Sequence, residues 1–128
     1  MKNLFYSLTF LLFLSSCQTS APFGQDGGRT YTSLTEYFQN INGIRVTGND
    51  NNGHITFFGM GTSTTQSSDS SPLFVVEGQQ VGRSLSQLAS ILNPNDIKRV
   101  KVLRTPEQTS FYGINGANGV IEITIKKE

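Results

Sequence analysis

The chain is poor in the residues from which reactive sites are usually built. It has one cysteine, Cys17, and one histidine, His54, in 128 residues. A single cysteine excludes an intramolecular disulfide, so stability must come from an apolar core. One histidine, with no second histidine and no free thiol, leaves no metal cluster. Charge is scarce as well: ten Lys and Arg stand against nine Asp and Glu, a net of +1. That balance offers no electrostatic case for nucleic acid or for an anionic surface. Long apolar runs are missing too. The most apolar stretch, residues 4–14, is too short to span a bilayer as a stable helix.

What is present begins at the N-terminus. Lys2 supplies a positive start, residues 4–14 a short apolar segment, and the small Ser15 and Ser16 precede Cys17. This is the pattern of a secretory signal. Leu14-Ser15-Ser16-Cys17 resembles the bacterial lipobox, which implies cleavage before Cys17 and lipid on its thiol. Several acyl chains would hold a protein on a membrane durably. The plainer reading is ordinary secretion with an incidental Cys17. On the lipobox reading, residues 1–16 are signal, residues 17–30 a tether, and residues 31–128 one small domain. Losing Lys2 leaves nine basic against nine acidic side chains. Residues 18–29, with Pro22, Gly24, Gly27 and Gly28, have no sustained period, as a flexible tether should. Its reach is at most about 3.3–3.6 Å per residue.

Local patterns divide the rest. Ser33 and Glu36 fit a capping box, followed by Leu34, Tyr37 or Phe38, and Ile41 on one helical face, with Gly43 to end it. Ile44 and Val46, then Ile55 and Phe57, alternate as strands around an Asn/Asp/Gly turn at residues 49–53, which predicts a hairpin. Residues 59–71 read as a Gly/Ser/Thr loop. A short apolar strand follows at residues 73–76, closed by Gly78. Ser84 to Gln87 is a second capping box, with Leu85, Leu88 and Leu92 as the helix stripe and Pro94 as its stop. Val100 and Val102 mark a strand. Pro106 suits a first helical position, and Ile121, Ile123 and Ile125 share one face of the last strand. The order is α-β-β-β-α-β-α-β, an α+β fold with short helices packed on a small mixed sheet.

Several segments together resemble the plug domain of TonB-dependent outer-membrane receptors, particularly the SusC-like branch. They are Pro72-Leu73-Phe74-Val75-Val76-Glu77-Gly78, then Asn93 to Ile97 followed by Val102-Leu103, then Tyr112-Gly113-Ile114-Asn115-Gly116-Ala117-Asn118-Gly119-Val120-Ile121. The opening helix and Ile44-Arg45-Val46 are similar to the plug's first elements. Pro72, Glu77, Gly78, Tyr112, Gly113, Gly116, Ala117, Asn118 and Gly119 are the residues matching the family's structural motifs. The family usually has Asp at Glu77, and Ser-Arg at Ile114-Asn115. Its barrel strands would follow the last plug strand, whereas this sequence stops at Glu128, so a stand-alone lipoprotein without a pore is expected. No TonB-box segment is apparent between Gln18 and Thr30.

No enzyme is visible. His54 reads as a solvent-facing strand residue, and Cys17, once lipidated, cannot serve as a thiolate. Residues 62–71 offer hydroxyls but no general base nearby. Gly113, Gly116 and Gly119 feed a strand rather than a helix, which speaks for tight turns and against a phosphate cradle. Asp96, Glu107 and Glu122 fall in different elements, and nothing pairs them as acid and base. Lys98, Arg99, Lys101 and Arg104 read as a solvated strand face; Lys126 and Lys127 discourage edge pairing.

The resemblance implies a non-catalytic, outer-membrane-anchored lipoprotein, a binding or accessory module in nutrient uptake, without cofactor or metal. A structural or stress-related envelope protein reusing the fold is the alternative. The expected partners are membrane lipid through Cys17, an outer-membrane protein and a small ligand of unspecified identity. Thr62, in the polar loop, and Ile125, on a last strand expected to offer an open edge to another chain, are the candidate contacts. The absence of an acidic run after Cys17 favours the periplasmic face.

Overall fold

In the computed structural model, residues 28–59 and 70–127 are described. Helix α1 (Leu34–Gln39) starts as its sequence directs: the Ser33 hydroxyl accepts the Glu36 N–H at 3.1 Å. The return half of the box is displaced, because the Glu36 carboxylate accepts from Thr32 N rather than from Ser33 N. A second cap comes from far along the chain. Asp50 accepts the N–H of Leu34 at 3.1 Å and of Thr35 at 2.7 Å, together with the Thr35 hydroxyl. These bonds satisfy donors that the first helical turn leaves open. Both Tyr37 and Phe38 are buried beside Leu34 and Ile41.

Burial by itself would raise the Asp50 carboxyl, but the Thr35 hydroxyl and the N–H groups of Thr35 and Leu34 hold it below 3.8. A carboxylate lowered on folding contributes stability above its unfolded value and loses it as pH falls through the folded one. Asp50→Asn is therefore expected to lower stability at neutral pH by about 1 kcal/mol, the usual worth of a cap. In urea titrations its deficit should narrow as pH falls below 3.8; a constant deficit would show that charge at Asp50 contributes nothing.

Strands β1 (Ile44–Thr47) and β2 (His54–Phe57) form the expected hairpin, from Ile44 opposite Phe57 to Thr47 opposite His54. In its turn the Asn49 side chain accepts from the N–H groups of Asn51 and Asn52. The hairpin is a sheet of its own. The second sheet holds β3 (Leu73–Val76), β4 (Gln79–Gly82), β5 (Ile97–Leu103) and β6 (Val120–Ile125) in the order β4-β3-β6-β5. β3 and β6 run parallel and the other pairs antiparallel, so the sheet is mixed.

Two features of this sheet differ from the sequence expectation. β4 is an added strand: Gln79-Gln80-Val81-Gly82 carries no apolar alternation, with Gln79 and Gln80 exposed and Val81 and Gly82 half-buried. It forms because Glu77 at φ 50° and Gly78 at φ 82° make a two-residue turn that matches sheet twist. The second difference is a correction. β6 lies inside the sheet, paired on both sides, and offers no open edge. Ile125 sits opposite Ile97, half-buried, and donates its N–H to Glu77 Oε1 at 2.8 Å. Lys126 is likewise engaged, through Nζ to Asn95 O at 2.7 Å and through its N–H to Asp96 O. The sheet's edges are β4 and β5.

Helix α2 (Leu85–Ile91) buries Leu85 and Leu88, with Leu92 just beyond it. Its proposed capping box does not form, since Ser84 Oγ bonds Ser86 Oγ at 2.8 Å instead of a backbone N–H. A 3₁₀ turn (Pro94–Asp96) leads into β5. After β5 come α3 (Pro106–Thr109) and a second 3₁₀ segment (Ser110–Gly116). One sheet face, through Phe74, Val100, Ile121 and Ile123, packs under α1, the hairpin and α2. The other buries a smaller cluster of Leu73, Val75, Leu103 and Val120 under Tyr112.

Candidate functional site

The motif residues converge on that second face. Tyr112 turns inward and covers the small cluster, while Phe111 and Ile114, on the same segment, are each 89% exposed. Gly113 makes this possible, with φ 56° and ψ −140° breaking the 3₁₀ path between them. Gly116 serves by size: a Cβ there would lie 2.9 Å from Thr109 O. Gly119, buried at φ 92°, passes the chain into β6 and accepts the Leu73 N–H at 3.0 Å. Pro72 is fully buried beside it in the fold, Ala117 is exposed and Asn118 half-buried.

Arg83, just past β4, pins the segment by donating to Ile114 O at 3.3 Å and Asn115 O at 3.2 Å. Asn115 Nδ2 donates to Gln80 Oε1 at 3.1 Å, so the segment closes over the β4 edge. Glu77 fastens the far end of β6 through its N–H to Ile123 O and its carboxylate to Ile125 N. Gly78 completes its turn. Glu77, Gly78, Gly113, Gly116 and Gly119 thus hold backbone in place.

Beyond the apolar cluster this face becomes polar. The Tyr112 hydroxyl donates to Glu122 Oε1 at 2.6 Å, and Lys101 Nζ lies 3.8 Å from Glu122 Oε2. The bond to Glu122, then burial, then the carboxylate's charge push the Tyr112 phenol up to about 12. Tyr112 is thus a protonated donor across the physiological range, unable to act as a base there. His54 Nδ1 lies 3.0 Å from Ser71 Oγ, a contact spanning 17 residues, and Ser71 is 2% exposed. Among the described residues no three His, Cys, Asp or Glu gather for a metal. An open groove of about 470 Å³ lies by Thr32, Asp50, Ile91, Asn93 and Asp96, but Asp50 is committed to capping α1.

Three partnerships have no sequence signal. Arg104 leaves the solvated face expected for it, donates to Gly43 O at 2.9 Å and stacks over Phe57 at 5.2 Å. Asn95 brackets Tyr31, accepting its N–H at 2.9 Å and donating to its carbonyl at 3.0 Å. Arg83 is the third. Each joins residues 31 to 64 positions apart. Cys17 and Thr62 lie outside the described residues.

Residues 24–120 match the family model described as TonB-dependent Receptor Plug Domain. TonB-dependent receptor P39 of Formosa agariphila is 34% identical over 87 residues, 68% of this chain and 8% of that receptor. TonB-dependent receptor SusC of Bacteroides thetaiotaomicron is 37% identical over 71 residues, 52% of this chain and 7% of the receptor. Among solved structures, the RagAB peptide importer in its closed-closed state superposes with a TM-score of 0.51 at 29% identity. That match covers 69% of this chain and 10% of the importer chain. The chain therefore spans less than a tenth of the curated relatives it matches. With the family model covering most of its length and the motif residues placed where the turns need them, this chain belongs to the TonB-dependent receptor plug domain family.

Proposed function

We propose that this chain is a non-catalytic plug module in nutrient uptake at the outer membrane, a binding or accessory part held by lipid on Cys17 at the periplasmic face. The observation that carries the reading is the use made of the motif. Gly113, Gly116, Gly119, Glu77 and Gly78 are spent on turns and backbone bonds, and Tyr112 on covering the small apolar cluster and bonding Glu122, which leaves the surface free for contact rather than chemistry. The relatives support it, being named receptors and a peptide importer. Lipid at Cys17 rests on the lipobox residues 14–17.

Cell fractionation with metabolic palmitate labelling tests the anchor. The native chain should take up label and sediment with the outer membrane, and Cys17→Ala should be unlabelled and released to the soluble envelope fraction. Unchanged sedimentation of the unlabelled variant would remove the anchor. Deleting the gene and measuring nutrient uptake apart from envelope integrity tests the role: loss of integrity with normal uptake would overturn it.

A further inference from the structure

We propose that the open edge of β5 binds an acidic, extended segment of another protein, which joins the four-stranded sheet as a fifth strand. The inference goes beyond the uptake reading and does not depend on it. β5 is the longest strand, seven residues from Ile97 to Leu103, and it has a neighbour on one side only. Among the described residues no backbone group from another element bonds its outer side. Such an edge is a row of donors and acceptors ready for pairing.

The opposite edge is closed to this use. β4 has only four residues and is overlaid by Asn115 and Arg83. β5 alone remains.

Charge selects the partner. Lys98, Arg99 and Lys101 are all exposed, three cations within four residues of a chain whose net charge is only +1. Glu122 answers Lys101 at 3.8 Å, an exposed pair worth little; no carboxylate pairs with Lys98 or Arg99 among the described residues. Cations on an edge strand ordinarily prevent pairing, and here they do so against a like-charged strand. A second copy of β5 would set lysines and arginines against one another, which excludes self-association through this edge. A strand bearing Glu or Asp at alternate positions meets the same charges as attraction. Main-chain hydrogen bonds would then hold it and the cations would set its register.

The test is an NMR titration of the ¹⁵N-labelled full chain in detergent with the peptide acetyl-Val-Glu-Val-Glu-Val-Glu-Val-amide at low salt. Shifts and slowed amide exchange are expected along residues 97–103. A peptide N-methylated at alternate residues, which keeps its charge but cannot pair along one edge, should bind about tenfold more weakly. Lys98→Glu with Arg99→Glu should weaken the parent peptide by a similar factor, with the spectrum outside β5 unchanged. Equal binding of the N-methylated peptide would reduce the interaction to charge attraction and overturn strand addition. So would shifts centred away from β5, or no binding at millimolar peptide.

Discussion

Gly119→Ala should destabilise the folded chain by about 2–5 kcal/mol, adding a left-handed backbone penalty of about 1–2 kcal/mol to an overpacking cost of about 1–3 kcal/mol. The backbone at Gly119 stands at φ 92°, a region that L side chains avoid. An added Cβ would press on the Phe57 ring and lie 3.0 Å from Leu103 O. Neither neighbour can yield cheaply. Leu103 O is backbone at the end of a paired strand, and Phe57 is 4% exposed with Arg104 stacked on its ring. The same residue also accepts the Leu73 N–H that starts β3. Small domains have about 5–15 kcal/mol to lose, so the shift should be plain in a guanidinium unfolding curve. An unchanged midpoint would mean that the turn relaxes and that glycine here is not required.

Phe38→Ala should cost about 3–5 kcal/mol, the usual range for emptying a buried aromatic site. Phe38 is 0% exposed and lies where α1 meets the large sheet, edge-on to Tyr37 at 5.8 Å and tilted against Phe74 at 6.1 Å. Tyr31 extends the group through Tyr37 at 4.9 Å. Removing the ring leaves a cavity between helix and sheet, and the short α1 has little else to hold it. A helix of six residues is marginal without tertiary contacts. Melting should fall by roughly 12 °C or more for a domain of this size. Phe38→Leu, which keeps most of the volume, should lose much less. Similar losses for both variants would point to ring stacking rather than volume.

The α+β class, the hairpin, both longer helices and the glycine turns before β6 were legible because their signals are local. Ser33 and Glu36 lie three residues apart, and Ile121, Ile123 and Ile125 repeat every second position. Locality also misled. Ser84 has the spacing of a cap, yet the Ser86 hydroxyl two residues away competes for it. β4 had no pattern to find: it exists because the Glu77–Gly78 turn lays two exposed and two half-buried residues against β3.

The order of residues alone determined where helices start, where turns fall, which faces are apolar and to which family the motifs point. Each of those depends on side chains a few positions apart. Only the folded structure decided that β6 is central and β5 peripheral, that Asp50 caps α1, and that Arg104 leaves a basic cluster for Gly43 and Phe57. Backbone donors and acceptors are chemically alike along every strand, so which strands pair is settled by how all the apolar faces pack at once.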